Sequence, residues 1–148
     1  DKRDGFSIPF FQMGEKIMDK LTYIEVGKEK YPIKCDNLVL QQIQEEFGSV
    51  RLFEMALIGL AAEKNPDGTD KRDDKGQIIL KHVEPSIKAI NFGLPLMVNE
   101  GLEIEAEQKN TDFKYLEDKE IIRSIQLSYL KLSEIMHKEL ARCFETKK

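Results

Sequence analysis

The chain has 148 residues, of which 41% are hydrophobic and 34% are charged, and its formal net charge at pH 7 is −4. This length suits one domain with a single core, and the acidic balance argues against binding to nucleic acid or to anionic membranes. Cys35 and Cys143 are too few for the disulfide framework of a small secreted domain, and no stretch reaches the ~20 apolar residues of a membrane span. We therefore expect a cytoplasmic, non-membrane protein in which both cysteines are buried thiols.

The chain is expected to consist of an N-terminal extension, residues 1–12, and a single α+β domain over residues 13–148. The extension contains four large apolar residues, Phe6, Ile8, Phe10 and Phe11. They follow no amphipathic pattern, which favours a vector-derived or flexible segment. The alternative is an extended segment that docks in a groove on a neighbouring copy, because exposed apolar residues favour aggregation.

A β-hairpin is predicted at the start of the domain. Residues 21–26 (LTYIEV) are strand formers, Gly27 begins a turn, and residues 30–35 (KYPIKC) place alternate apolar side chains on one face. Because Pro32 cannot donate a backbone hydrogen bond, we expect it at an edge or with its nitrogen pointing outward.

Two helices joined by a tight turn are predicted next. Asp36 is placed to cap the first helix, Gly48 to end it, and Ser49 to cap a second helix that runs through Leu60 towards Ala61 and Ala62. A charged loop, residues 63–76, follows and contains no large apolar residue. The β-branched segment 77–83 either pairs into a second hairpin or forms an extended lead-in.

The rest of the chain is predicted to be helical. An apolar stripe begins after Pro85-Ser86, and Pro95 should kink or break that helix near Phe92 to Leu94. Asp118 and Ser128 are candidate caps for two further helices. In the last helix the apolar stripe comprises Leu132, Ile135, Met136, Leu140 and Cys143, with Glu139 and Arg142 on the solvent-facing sides. The predicted fold class is α+β, an N-terminal hairpin followed by a predominantly helical bundle.

No catalytic, metal-binding or cofactor-binding motif is found in the sequence. His82 and His137 lie on different elements, neither has a neighbouring cysteine or histidine or an HExxH-like spacing, and the glycines form no phosphate-binding loop. An acidic cluster, Glu100, Glu103, Glu105 and Glu107, lacks the ligand order of a calcium loop and is interpreted as a solvated helix face. We therefore expect a protein that is not an enzyme and needs no cofactor.

Protein binding is the expected activity. The two helices around Gly48 have the lengths of a helix-turn-helix, but the second offers only Arg51 to DNA and is otherwise largely apolar. Residues 53–60 and 87–98 contain more apolar side chains than a helix buried on one face requires. The candidate partner-binding residues are Phe53, Leu57, Leu60, Leu94, Leu96 and Met97. The alternative is that these residues pack in the core.

The order of the motifs resembles that of the small tail assembly chaperones of long-tailed phages and prophages. The resemblance covers residues 21–148 and rests on YIEVGKEKYPIKC, DNLVLQQIQEEFGS, SVRLFEMALIGL and EPSIKAINFGLPLMVNEGLEIEA. It implies a non-enzymatic helper in the bacterial host cell that binds the tape measure protein, recruits tail tube subunits and self-associates along its client. It also implies a longer form made by frameshifting near residues 146–148.

Three alternatives remain open at this point. The first is a phage head-tail connector or tail completion protein, which would share the size and acidity of the chain. The second is a helix-turn-helix DNA-binding regulator built on residues 36–62. The third is an enzyme whose active-site residues are scattered in the sequence and are brought together by folding.

Overall fold

The computed structural model describes residues 20–145, so the predictions for residues 1–12 lie outside the described residues. The strands are β1 (Thr22–Val26), β2 (Glu29–Ile33), β3 (Leu60–Ala62) and β4 (Leu80–His82), and the helices are α1 (Asn37–Phe47), α2 (Val50–Ile58), α3 (Ile87–Lys109), α4 (Asp118–Ser124) and α5 (Tyr129–Cys143). The predicted α+β class is confirmed, since an antiparallel hairpin precedes mostly helical elements.

The N-terminal hairpin packs against the middle of α3. β1 and β2 pair antiparallel, with Pro32 opposite Tyr23. The chain leaving β2 donates a backbone hydrogen bond from Lys34 to the carbonyl of Met97 (3.0 Å). A Cβ atom at Gly101 would lie 2.6 Å from the carbonyl oxygen of Pro32. The hairpin can therefore approach α3 this closely only because residue 101 has no side chain.

The predicted caps of α1 and α2 are confirmed. The Asp36 carboxylate accepts hydrogen bonds from the backbone N–H groups of Leu38 and Val39, and the Ser49 hydroxyl accepts one from Leu52. These side chains satisfy donors that a helix start leaves unpaired. The two helices meet through an edge-to-face contact between the rings of Phe47 and Phe53, whose centroids are 5.1 Å apart.

Helix α2 ends earlier than predicted. Gly59 adopts a left-handed conformation (φ +83°), and its N–H donates to the carbonyl of Met55. A Cβ atom there would lie 2.4 Å from the carbonyl oxygen of Val83, so both conformation and space require glycine. The prediction that the helix runs through Leu60 is therefore wrong, because Leu60 begins β3.

Residues 60–83 form a separate hairpin, which we call the arm. β3 pairs with β4, with Leu60 opposite His82 and Ala62 opposite Leu80. Beyond this pairing, backbone bonds close a ring: Glu63 donates to Ile79, Ile79 to Lys71, and Lys71 to Glu63, each N to O distance being 2.9 Å. Two compact turns, residues 65–69 and 73–77, extend from this ring.

The arm corrects the prediction of a solvated loop. Residues 63–76 are indeed largely exposed, but their backbone groups are hydrogen-bonded within the arm. Segment 77–83 contributes β4 to this second sheet and does not join β1 and β2. A second hairpin, one of the two alternatives for residues 77–83, is therefore the one that forms. The turns within residues 63–76 could not be predicted from apolar side chains, because backbone groups make their pairing.

Helix α3 is the central element of the fold and contacts β2 and the other four helices. Its first turn is capped by the Ser86 hydroxyl, which accepts a hydrogen bond from Ala89 N–H (3.1 Å). The helix continues through Pro95, so of the predicted kink or break the break does not occur. Residues on both sides of the proline, Leu94 and Met97, are buried in one core, and this packing keeps the two halves of the helix together.

The last two helices follow the prediction more closely. The cap of α4 is Glu117, one residue before the predicted Asp118. The Ser128 hydroxyl caps α5 as predicted and accepts a hydrogen bond from Lys131 N–H (3.2 Å). The α5 stripe that includes Leu132, Met136 and Leu140 is buried in the core.

Glu139 was predicted to face solvent, but its exposed fraction is only 3%. Its carboxylate accepts a hydrogen bond from Cys35 N–H (2.7 Å) and pairs with the Arg142 guanidinium. Arg142 in turn donates to the Cys35 carbonyl (3.1 Å). The pair therefore ties the end of α5 to the exit of the N-terminal hairpin.

The two cysteines are free thiols. Cys35 is buried as predicted, whereas Cys143 is only half-buried. Burial, together with the adjacent Cys143 thiol and negative charges at Glu139 and Asp36, raises the pKa of the Cys35 thiol. Cys35 therefore remains protonated at neutral pH and is a poor nucleophile.

Candidate functional site

The structure divides the six predicted partner-binding residues into two groups. Phe53, Leu57, Leu94 and Met97 are buried in the core, whereas Leu60 and Leu96 are half-buried. The core-packing alternative therefore describes the first four, whose side chains reach no partner while the domain has this fold. Leu60 lies in the arm, and Leu96 lines a surface groove.

This groove lies between α1, α3 and the irregular segment 111–117. It has a volume of about 250 Å³ and is open to solvent. Its lining, which defines the groove, is Leu38, Val39, Gln42, Pro95, Leu96, Asn99, Glu100, Glu103, Phe113, Tyr115 and Asp118. It therefore combines apolar side chains from α1, α3 and the segment with carboxylates from α3 and α4.

Asn99 fixes segment 111–117 across α3. Its side-chain amide donates to the Leu116 carbonyl (3.0 Å), and its carbonyl oxygen accepts from Leu116 N–H (2.9 Å). The same amide also donates to the Pro95 carbonyl (3.2 Å), a hydrogen bond made inside the helix. Asn99 thus pairs with Leu116 as a neighbouring strand would, and it holds one wall of the groove in place.

Three large apolar side chains at the groove are exposed to water. The exposed fractions are 65% for Leu38, 61% for Tyr115 and 40% for Phe113. Phe113 also lines an adjoining cavity of about 250 Å³, which includes Leu102, Ala106 and Lys114. A group of exposed apolar side chains around a groove is typical of a surface that binds another protein.

The rim of the groove carries three carboxyl side chains, Glu100, Glu103 and Asp118, of which Glu100 is largely protonated at neutral pH. A hydrogen bond with Asp36, burial, and the negative charges of Asp36, Glu103 and Glu107 together raise the pKa of Glu100 to about 8. Within residues 20–145, no Lys, Arg or His forms an ion pair with Glu100, Glu103 or Asp118. The rim therefore favours a ligand that carries positive charge.

The groove provides little for covalent chemistry. Its lining contains no Ser, Cys, His, Lys or Arg, which are the side chains that serve most often as nucleophiles or anion-stabilising groups. Across the described part of the chain, no group of three or more His, Cys, Asp or Glu side chains is arranged to hold a metal ion. The groove can therefore bind apolar and cationic groups, and the groups that it offers for acid–base chemistry are the carboxyls of Glu100, Glu103 and Asp118.

Sequence reasoning missed most of the groove. Leu38 lies in α1, whose other apolar residues pack in or against the hydrophobic core, whereas the Leu38 side chain itself is exposed to solvent. Two signals were present in the sequence: the acidic cluster that begins at Glu100, and Phe113 and Tyr115 alternating in an otherwise polar segment. Asn99 gave no signal, because its partner Leu116 is 17 residues away.

The helix-turn-helix interpretation gains no support from the exposed side of α2. Arg51 forms an ion pair with Glu54 (3.2 Å), and Glu54 also contacts His137 of α5 (3.1 Å). The opposite side of α2 is occupied by the core residues Phe53 and Leu57. The only cation that this helix offers to DNA is therefore already paired with a carboxylate.

No protein-family model, curated protein or solved structure matches this chain. The resemblance to tail assembly chaperones therefore remains a prediction from the sequence motifs. Separately, among residues 20–145 no helix combines the length and the apolar character that crossing a bilayer requires.

Proposed function

We propose that this chain is a non-enzymatic protein-binding module and that the groove is its binding surface. The observation that carries the proposal is the combination of exposed Leu38, Phe113 and Tyr115 with an acidic rim for which residues 20–145 supply no cationic partner. A few residues, enriched in Trp, Tyr and Arg, provide most of the binding energy at protein interfaces, and charges at the rim contribute to the choice of partner.

The chemistry of the groove defines the partner. We expect a segment, most simply an amphipathic helix, that places two or three apolar side chains on the groove floor and Lys or Arg over Glu100, Glu103 and Asp118. The tail assembly chaperone resemblance makes the tape measure protein the client to test first, with the tail tube subunit second. A chaperone for such a client needs contact area and shielding charges, and it needs no catalytic group.

A direct test is a binding titration with two helical peptides of equal length. One carries Leu and Lys at helical spacing, and the other replaces every Lys by Glu. We expect the cationic peptide to bind and the acidic one to fail, and Glu103→Lys to weaken the cationic peptide at least about tenfold. Leu130→Ser is a matched control, because Leu130 is exposed on α5 and does not line the groove. Equal binding of both peptides would rule out the acidic rim as the selecting feature.

The client itself is tested by co-purification with tape measure fragments and tail tube subunits from the same phage or prophage. We expect a tape measure fragment to co-elute with the wild-type chain and not with a Leu38→Lys, Glu103→Lys variant. Failure of every fragment to co-elute would end the chaperone assignment. The peptide titration would still decide whether the groove binds protein.

One observation favours a second candidate, an enzyme that uses an acid. The Asp36 and Glu100 carboxyls share a hydrogen bond, and the raised pKa of Glu100 suits a general acid. However, Asp36 already caps α1 through Leu38 and Val39, and the groove lining contains no nucleophile of the Ser, Cys or Lys type. Glu100→Gln separates the two functions, since it would abolish acid catalysis but preserve apolar contacts with a protein partner.

A further inference from the structure

The two cysteines of the sequence lie side by side in the fold, although they are far apart along the chain. Both Cys35 and Cys143 are free thiols. Cys35 belongs to the hydrophobic core, and Cys143 packs against that core from its edge. The two thiol groups share a hydrogen bond. Thiols in such contact are close to the arrangement that a disulfide requires.

Helix α5 determines this contact through three residues on one of its faces. Residues three and four positions apart are neighbours on a helix, so Glu139, Arg142 and Cys143 lie together. Glu139 accepts a hydrogen bond from Cys35 N–H (2.7 Å), and Arg142 donates one to the Cys35 carbonyl (3.1 Å). Both backbone groups of Cys35 are therefore held against the face that carries Cys143, and the contact does not depend on side-chain rotamers alone.

The two thiols differ in their access to solvent. The exposed fraction of Cys35 is 1%, whereas Cys143 is half-buried at the end of α5. Burial is the main cause of the raised pKa of Cys35, which keeps this thiol protonated. A reagent in solution therefore meets Cys143 first. Cys35 stands behind it, in the place of a resolving thiol.

We propose that Cys35 and Cys143 form a reversible disulfide when a small-molecule disulfide oxidises the chain. The Cys143 thiolate attacks one sulfur of the reagent, whose S–S bond breaks, and the first half leaves as a thiolate that takes a proton from water. Cys35 then attacks the Cys143 sulfur and displaces the second half, which takes the Cys35 proton. Two protein thiols are oxidised, and one small disulfide is reduced to two thiols.

The disulfide would reinforce a connection that the fold already contains. It would join the exit of the N-terminal hairpin to the end of α5, which Glu139 and Arg142 connect through hydrogen bonds. A cross-link between distant positions restricts the unfolded chain, so the oxidised protein should resist unfolding more than the reduced protein. The inference is independent of the proposed function, because neither cysteine lines the groove.

The test is a redox titration of the wild-type chain with mixtures of reduced and oxidised glutathione. The chain is equilibrated once in native buffer and once in urea that unfolds it, then quenched with acid and weighed by mass spectrometry. We expect an intramolecular disulfide, seen as a loss of two hydrogen atoms, whose equilibrium constant is at least about 30-fold larger in the native chain. The urea midpoint of the oxidised chain should be correspondingly higher. Equal constants in the two states would overturn the proposal, as would a native chain that carries only bound glutathione.

Two variants test the order of the steps. Native Cys143→Ser should stay unmodified, because the remaining thiol is buried, whereas Cys35→Ala should keep one glutathione on Cys143. Ala141→Ser, on the exposed side of α5, is the matched control and should form the disulfide as wild type does. Glutathione on Cys35 of native Cys143→Ser, at the rate of the wild-type reaction, would overturn the order. If Cys35→Ala does not fold, the wild-type titration still decides, since it needs no substitution.

Discussion

Glu139 shows how one buried charge can join two distant parts of a chain. A buried carboxylate is costly to desolvate, and here the cost is offset by Arg142 and by the N–H of Cys35, 104 residues away. Both backbone groups of Cys35 are satisfied by this pair. The exit of the N-terminal hairpin is therefore anchored by side chains at the other end of the sequence.

Removing this carboxylate should be severely destabilising. We expect Glu139→Ala to lower the free energy of unfolding by about 2–3 kcal/mol, because it leaves the buried Cys35 N–H without an acceptor, while the partly exposed Arg142 keeps its bond to the Cys35 carbonyl. Urea denaturation measures the effect. Glu134→Ala is the control, since Glu134 pairs with Lys131 on the surface and should change stability by only about 0.5 kcal/mol. Similar losses for the two variants would contradict the anchoring role of Glu139.

Glu100 makes both stability and binding depend on pH. Its pKa is raised from 4.5 to about 8 in the folded chain, chiefly by the hydrogen bond with Asp36, so the folded state holds the proton more tightly than the unfolded state. This contribution to stability is present below pH 4.5 and is lost as pH rises towards 8. Glu100→Gln should therefore gain stability relative to wild type across this window. Parallel pH profiles of the two proteins would contradict the prediction.

Glu100 also determines the direction in which the affinity for the cationic peptide changes with pH. A cationic partner stabilises the ionised form of Glu100, so binding releases a proton. We therefore expect affinity for the cationic peptide to increase as the pH rises from 6 to 9, and Glu100→Gln to remove most of this dependence. Titration in buffers of different ionisation enthalpy measures the released proton directly.

At the scale of elements, the contact between α3 and the hairpin depends on Gly101. Replacing glycine by alanine inside a helix usually stabilises the helix by about 1 kcal/mol. Here, however, its Cβ would lie 2.6 Å from the backbone oxygen of Pro32. We expect Gly101→Ala to destabilise by about 1–3 kcal/mol in urea denaturation. Gly93→Ala is the comparison, since its Cβ would meet side-chain atoms, Phe53 Cζ at 2.8 Å and Met136 Cε at 3.0 Å, rather than backbone, and it should cost less. A stabilising Gly101→Ala would contradict the packing.

The arm should be removable without unfolding the domain. Ala61 and Lys81 are directly opposite in the β3 and β4 register, so an Asn-Gly turn can replace residues 62–80. We expect the shortened chain to keep its helical circular dichroism and its cooperative transition, because none of the deleted residues is buried. Loss of the transition would mean that the arm supports the core.

Local signals predicted those elements whose ends are set by nearby side chains. Asp36, Ser49 and Ser128 each cap a helix through a hydrogen bond to a residue two or three positions away, and each was identified from sequence. Prediction failed where distant contacts decide. Leu60 continued a helical pattern, but the carbonyl of Val83 crowds Gly59 and redirects the chain into a strand. The groove likewise depends on Asn99 and Leu116, whose pairing no periodicity reveals.

At the scale of the whole molecule, the N-terminal hairpin and the helices packed on α3 form the stable part of the domain, and the arm is the less stable part. It packs against the N-terminal hairpin and against every other helix of residues 20–145, whereas the arm packs on little beyond itself. Elements with few buried contacts open at lower free energy than the core. The domain should therefore open in stages, with the arm opening first.

Native-state hydrogen exchange tests this order. We expect amides near the middle of α3, around Leu94 to Val98, to exchange only through global unfolding. Amides of the arm should exchange much faster, with those of Glu63, Lys71 and Ile79 the slowest among them, because their bonds form the ring. Equal protection of the arm and α3 would contradict this order of opening.

The ring formed by Glu63, Lys71 and Ile79 makes the two turns of the arm structurally independent of each other. Each of the two turns beyond it is closed at its base by backbone bonds, so lengthening one turn leaves the path of the other unchanged. Peptide epitopes or fluorescent labels could therefore be grafted at Gly68 and at Gly76 separately, each with open space around the α-carbon. Natural relatives of this chain should accumulate insertions and deletions at these two tips, while the lengths of the segments around Glu63, Lys71 and Ile79 stay constant.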